Sequence, residues 1–480
     1  MNGKKVISNM IWRFAERSSA QIVTFLVSIV LARILDPSVY GTVALVTVFT
    51  SILQIFIDSG LGNSLIQKKD ADNIDFSTVF YTNILFCLLI YLVMFVCAPF
   101  IAKFYGNNDM TLMLRVLSIT VIIAGVKNIQ QAYVARNLLF RKFFYSTIGG
   151  TIFSAFVGIG MAILGCGPWA LIFQHLSNTL VDTVIFWVTV KWRPKKSFSF
   201  SRLKILFTYG WKLLASALLD GIYNNLTSLI VGKKYSSKDL AYYNQGQKFP
   251  IIIVTNIITS IDSVLLPVMS NEQDNNYNIK MITRKSLRIG TFIMAPLMIG
   301  LSACGNNLIN LILGEKWIDS VIFLQIFCFT YLFWPVHTTN LNAIKALGRS
   351  DLFLKLELIK KLIGVILICI SMNIGVVAIA ISMLINSLLA LIINAFPNKK
   401  LLDYGYLEQI KDIGPSIIIS LIIGIIEWAI GCYIQISCAI ELFIQVVVGA
   451  LSYIILAKIF KIVEMEYLFN IIRKRKKSCG

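Results

Sequence analysis

Apolar runs of about twenty residues, nearly free of charge, recur along almost the whole chain and are separated by short polar breaks. A helix of that length spans the ~30 Å hydrocarbon layer of a bilayer. Hydropathy and helix breakers mark fourteen of them. The first runs from Ile11 to Leu35 and is ended by Asp36-Pro37. Tyr40 to Gly60, Thr78 to Phe104, Leu112 to Ala135, Ser146 to Leu164 and Trp169 to Val190 follow. A second series comprises Leu206 to Val231, Ala241 to Val268, Leu287 to Leu313, Val321 to Leu347, Leu356 to Met372 and Gly375 to Phe396. Ile413 to Tyr433 and Ala439 to Phe460 come last. The alternating pattern of a membrane β-barrel is absent. The expected fold class is therefore an all-α polytopic membrane protein of about fourteen transmembrane helices.

The longest basic interruption, Lys191 to Lys204, has six Lys or Arg among its fourteen residues, and Pro194 stops a helix from crossing it. The sequence before it returns, altered, after it. Gly165-Cys-Gly-Pro-Trp-Ala170 overlies Asn373-Ile-Gly-Val-Val-Ala378 at an offset of 208, which also sets Arg141 on Arg349. Trp12-Arg13 overlies Trp211-Lys212 at 199. Helices one to six thus match seven to twelve, a parallel repeat. The expected organisation is a six-helix lobe at 1–190, a basic linker at 191–204, a second six-helix lobe at 205–396, and two added helices with a basic tail at 397–480. Transporters built from such repeats hold substrate where the lobes meet.

Composition supports this picture: 57% of residues are apolar, 14% charged, and the mean hydropathy is +0.76. A soluble globule could not cover its surface with so few charges. The net charge of +20 does not point to nucleic acid, because the cations sit in the short breaks. Alternate breaks carry 34 Lys and Arg on one side and 7 on the other, with Lys127, Lys212 and Lys248 left inside spans. By the positive-inside rule both termini are expected in the cytoplasm. The nine cysteines lie mostly within apolar runs and show no metal spacing, so neither metal nor cofactor is expected. No P-loop, zinc motif or nucleophile elbow occurs, and no enzyme activity is expected.

Polar side chains inside spans are costly, so they mark function or structure. Helix one carries Arg13, Glu16, Arg17, Gln21, Thr24 and Ser28 on one face; helix seven carries Lys212, Ser216, Asp220, Tyr223 and Thr227. The offset of 199 sets Arg13 on Lys212 and Gln21 on Asp220. Thr47, Ser51, Gln54 and Asp58 share a face of helix two; Asn244, Lys248, Thr255, Thr259 and Asp262 share one of helix eight. Helix four adds Lys127, Asn128, Gln130 and Gln131, and helix ten His337, Thr338, Thr339, Asn340 and Asn342. The candidate cavity residues are Arg13, Arg17, Gln21, Lys127, Gln131, Lys212, Asp220, Asn244, Lys248 and Asn340. Two readings stay open. Arg13, Arg17 and Lys212 either line a cavity or snorkel to lipid phosphates. Asp220 either lines it or pairs structurally with a cation. His175 and His337 read as packed, hydrogen-bonded histidines, and the tail Arg473 to Lys477 as a segment binding anionic lipid.

Four stretches carry a family resemblance: LARILDPSVYG at Leu31 to Gly41, DSGLGNSLIQKKD at Asp58 to Asp70, LGEKW at Leu313 to Trp317, and ALGRSDLF at Ala346 to Phe353. With them the chain resembles the polysaccharide-transporter branch of the multidrug/oligosaccharidyl-lipid/polysaccharide (MOP) exporter superfamily, the Wzx-type flippases and teichuronic-acid exporters. The resemblance implies a flippase of the bacterial inner membrane. Such proteins move an undecaprenyl-diphosphate-linked oligosaccharide to the outer leaflet by alternating access. The product would be O-antigen, capsule, exopolysaccharide or teichuronic acid. Its partners would be that lipid-linked glycan, membrane lipids, and H+ or Na+; the protein would act as a monomer or beside polysaccharide assembly proteins. The other reading is a cation-coupled drug or small-molecule exporter of the same superfamily, with Asp220 or Glu427 as its essential acid.

Overall fold

The protein is described by a computed structural model covering residues 3–58, 61–68, 70–433 and 436–467. The basic tail at 473–477 lies outside them, as do the side chains of Asp58 and Thr259. The described residues are predominantly helical and contain no strand. They form α1 (Gly3–Ile34), α2 (Pro37–Asp58), α3 (Leu61–Gln67), α4 (Asn73–Tyr105), α5 (Met110–Leu117), α6 (Ile119–Arg136), α7 (Phe140–Ile163), α8 (Pro168–Thr189) and α9 (Phe200–Lys234). Then come α10 (Ser237–Asn271), α11 (Asn276–Ala303), α12 (Gly305–Ile312), a 3-10 turn at Glu315–Ser320, α13 (Val321–Leu332), α14 (Trp334–Ala346), α15 (Ser350–Ser371), α16 (Val376–Leu402), α17 (Tyr406–Tyr433) and α18 (Cys438–Ile459).

Each of the fourteen expected spans coincides with one helix or with a broken succession of helices. Twelve are long and apolar enough to cross a membrane, and a thirteenth is the bent pair Phe200–Thr208 and Gly210–Lys234, which turns by 46°. The remaining one, α15, is helical over 22 residues but carries Lys355, Glu357, Lys360 and Lys361. The protein is thus a polytopic all-α membrane protein. α8 begins at Pro168 and α16 at Val376, 208 positions apart.

The chain forms two compact units, Met1–Ala241 and Tyr242–Gly480. In the first, α4 opens on a capping box. The Asp72 carboxylate accepts the Asp75 backbone N–H, and Asp75 accepts that of Asp72, satisfying donors that a helix start leaves unpaired. Arg202 adds an ion pair to Asp72 at 2.5 Å, and that donor holds the Asp72 carboxyl at about 2, below its ordinary 3.8. The segment between α8 and α9 has no regular structure, yet it is tied down. Trp192 is buried against Phe76, Phe80 and Tyr133, with ring centroids 5.8, 6.1 and 6.4 Å away. Its carbonyl accepts from Gln130 at 3.0 Å; the backbone N–H groups of Lys195 and Ser199 donate to Ser77 and Thr78 at 3.0 and 3.1 Å. The run is basic in composition but is anchored by an aromatic residue.

The family-like stretches hold packing positions. A Cβ on Gly41 would lie 1.6 Å from the Ser237 carbonyl oxygen, so only glycine allows that approach. Trp317 is fully buried in the second unit beside Tyr242, whose hydroxyl donates to the Lys316 carbonyl at 3.1 Å. In the same unit α17 packs between α11 and α18. Glu427 and Gly431 of α17 meet Glu441, Gln445 and Gly449 of α18, all of them buried except Gly431. Asn307 donates to Glu441 at 2.7 Å and to Gln445 at 3.0 Å, and Gln445 donates to the Glu427 carbonyl at 2.8 Å.

Candidate functional site

In the first unit six intramembrane polar residues form one connected seam. Arg13 on α1 pairs with Glu16 at 2.7 Å and lies 4.5 Å from the Phe143 ring centroid. Glu16 accepts from Thr147 on α7 at 3.2 Å. The preceding residue, Ser146, hydrogen-bonds to the Asp182 carboxylate and, at 2.8 Å, to the Asp182 carbonyl on α8. Asp182 in turn pairs with Lys127 of α6 at 2.6 Å, with the two side chains only 11% and 15% exposed. Adjacent residues of α7 therefore join two ion pairs. In a low-dielectric interior such pairing is what makes the charges tolerable.

This corrects the expectation for Lys127. It is no free cation offered to an anionic ligand, because Asp182 neutralises it. Arg13 is likewise balanced by Glu16 and covered by an aromatic ring. Asp182 is the residue that sequence reading passed over. The signal was present, a single carboxylate in the apolar stretch LVDTVIF of the sixth span.

The other expected residues of this unit remain apart from the seam. Gln21 and Gln131 are half-buried, and Arg17, Lys212 and Asp220 are exposed. Among the described residues, Arg17 and Lys212 have no carboxylate partner. A cavity of about 240 Å³ opens within the unit, lined by Thr47, Thr50, Ser51, Gln54, Thr120 and His175, with Thr179. Leu117 completes the lining, so the hydroxyls and the single amide are set among apolar surface. Thr47, Ser51 and Gln54 are three of the four residues expected on the polar face of helix two.

In the second unit Asn244 and Lys248 lie half-buried on α10. Among the described residues Lys248 has no carboxylate or hydrogen-bond partner. Asn340 is placed differently from the expectation. It is fully buried, donates to Gln409 at 2.8 Å, and accepts from Asn398 at 2.6 Å and Gln409 at 3.0 Å. Its amide is taken up in a knot joining α14, α16 and α17, so it is a packing residue, not a lining one. His337 is also held internally, 3.1 Å from Ser387 and 3.3 Å from Asn394. Outside the spans, burial and the neighbouring Asp412 carboxylate push the Tyr404 hydroxyl above its usual range.

Known proteins share both the sequence pattern and the fold. A family model described as "Polysaccharide biosynthesis protein" matches residues 30–322. The chain is 25% identical over 309 residues to the teichuronic acid biosynthesis protein TuaB of Bacillus subtilis (strain 168), 63% of each chain. It is 24% identical over 338 residues to the lipopolysaccharide biosynthesis protein WzxC of Escherichia coli (strain K12), covering 69% of this chain and 68% of that one. The match thus spans a little under two thirds of TuaB's length. The solved structure of the lipid II flippase MurJ in an inward closed conformation superposes with a TM-score of 0.77 at 15% identity, over 94% of this chain and 98% of that one.

Proposed function

The chain belongs to the polysaccharide biosynthesis protein family, and from that premise we propose that it flips an undecaprenyl-diphosphate-linked oligosaccharide repeat unit across the bacterial inner membrane. The observation that carries the reading is a set of unneutralised cations on membrane-spanning helices. Arg17, Lys212 and Lys248 lack an acidic partner among the described residues, whereas Arg13 and Lys127 have one. An unpaired cation at membrane depth needs an anion or water. A lipid diphosphate supplies that anion, a glycan fills hydroxyl-lined space, and a polyprenyl tail stays in lipid.

In this reading the lobes are residues 1–190 and 205–396, joined through 191–204, with 397–480 added. Both termini are cytoplasmic and access alternates between lobes. The protein works as a monomer, without chemistry on its substrate. The revised contact set is Arg17, Gln21, Gln131, Lys212, Asp220, Asn244 and Lys248. The test is a bacterial strain whose own repeat-unit flippase is deleted and whose glycosyltransferases match. Expression should restore surface polysaccharide, and the triple variant Arg17→Ala, Lys212→Ala, Lys248→Ala, present at equal membrane level, should lower it at least tenfold. Full restoration by the triple variant removes these cations from the mechanism. Failure of the parent protein in a matched strain refutes the function.

A further inference from the structure

The first unit has a second cavity, at the end where α4 gives way to α5 and α7 to α8. It measures about 440 Å³ and is lined by Asn108, Asp109, Thr111, Arg115 and Trp169, with Leu112, Met113 and Pro168 around them. That volume lies within the ~300–1,000 Å³ range of small-molecule sites. Its polar groups come from two separate turns. α4 ends on Gly106 in left-handed backbone (φ 71°), and the Asn107 side chain then accepts the Asp109 backbone N–H at 3.1 Å. On the other side Gly165 and Gly167 (φ 74° and 55°) make the turn that delivers Pro168 and Trp169 to the start of α8. Arg115 is held from behind: its Nε donates to the Phe95 carbonyl at 3.2 Å and its guanidinium lies 4.0 Å from the Phe95 ring centroid. Among the described residues the Asp109 carboxylate has no hydrogen-bond partner.

The structure assigns this cavity as a sugar-binding subsite, which we propose takes one or two pyranose units of the glycan; the assignment rests on the flippase reading. Three features select a sugar. Lined by one carboxylate, one guanidinium, an amide and a hydroxyl, the cavity offers both donors and acceptors, as a polyol requires. It holds one cation and one anion, so it gives a phosphate no net attraction. Trp169 is half-buried, and an indole combines a broad apolar face with a polar edge, suited to the C–H face of a pyranose. The repeat shows that the turn itself does not demand a tryptophan: at the offset of 208 its counterpart is Val377, and α16 starts there equally well.

The test uses the full-length protein in phosphatidylcholine nanodiscs, probed by saturation-transfer NMR with lactose, cellobiose, chitobiose and maltose. At least one should take up saturation on its ring protons. That signal should fall at least fivefold in both Trp169→Leu and Asp109→Asn, with each variant melting within about 2 °C of the parent. The assignment is overturned if no disaccharide responds, if both variants respond as the parent does, or if added phosphatidylglycerol abolishes the signal, which makes the cavity a lipid-headgroup site. Polysaccharide restoration without sugar saturation sinks this subsite alone. Sugar saturation without restoration sinks the flippase reading and leaves a sugar site.

Discussion

Replacing Lys127 with alanine leaves Asp182 buried without its cation, and Asp182→Leu leaves Lys127 in the same position. The pair is 2.6 Å apart with 15% and 11% of the two side chains exposed, so neither stranded charge can reach bulk water without repacking α6, α7 and α8. Breaking a buried pair by removing one partner costs about 3–5 kcal/mol. For a unit of this size, ~2 °C of melting temperature corresponds to 1 kcal/mol, so each single variant should melt roughly 6–10 °C below the parent. Replacing both partners by apolar residues of similar size removes the desolvation penalty with the attraction, and is often neutral. Lys127→Met with Asp182→Leu should therefore melt within about 2 °C of the parent by that scaling, with Ser146 still bonded to the Asp182-position carbonyl. The assay is thermal unfolding of detergent-solubilised protein followed by fluorescence-detected size exclusion. Single variants that melt like the parent, or a double variant as unstable as the two losses summed, would refute the reasoning. The folded double variant should also restore polysaccharide; if it does not, Lys127 touches substrate and its neutralisation by Asp182 is incidental.

Asn340→Leu removes the side-chain acceptor of Gln409 and Asn398, which keep only long bonds of 3.3 and 3.4 Å to the Tyr404 and Asn340 carbonyls, at about 1–3 kcal/mol in all, and should lower the melting temperature more than Asn244→Leu on α10; equal shifts would show that the knot is not structural. A methyl at Gly449 would lie 1.6 Å from the Glu427 Oε1 and 2.6 Å from its Cδ, so Gly449→Ala must displace that buried carboxylate and should lower the melting temperature, and Glu427→Ala in the same chain should remove most of that loss. If Gly449→Ala melts normally, Glu427 is not pinned between α17 and α18. Asp72→Ala should cost about 1 kcal/mol for the lost cap, with the Arg202 pair adding little because both side chains are well exposed. Its carboxyl is held at about 2 against an ordinary 3.8, so the stabilisation is complete above pH ~4 and is lost as pH falls toward 2. The melting difference between parent and Asp72→Ala should shrink over that window; a difference constant with pH refutes the linkage.

Much of the fold was legible because membrane spans announce themselves one at a time. An apolar run of the right length is sufficient, and Asp36-Pro37 or Gly165-Cys-Gly-Pro168 marks where it stops. The breaks within spans were less legible: no glycine or proline flags Ser118 between α5 and α6, and Pro335, which opens α14 just after the break at Phe333, lies in a run apolar enough to read as one continuous span. The candidate site was legible as residue types and illegible as pairings. Lys127 and Asp182 are 55 positions apart, and nothing local links them. Asn340 reads in sequence like any other amide of its stripe, and only its packing against Asn398 and Gln409 shows that it is held internally. Trp192 was hidden by its neighbours, since a run rich in lysine and arginine reads as solvated even when one indole fixes it.

That strapped segment has a biochemical corollary. A stretch with six lysines and arginines looks like the first place trypsin would cut. Proteases need several residues of slack backbone to thread through their active site, and loop tips normally provide it. Here Trp192, Lys195, Ser199 and Arg202 are each fastened to α4 or α6, so the slack is missing. Nicking at this junction would then report unfastening of Trp192, which makes a simple digestion pattern a gauge of the first unit's integrity.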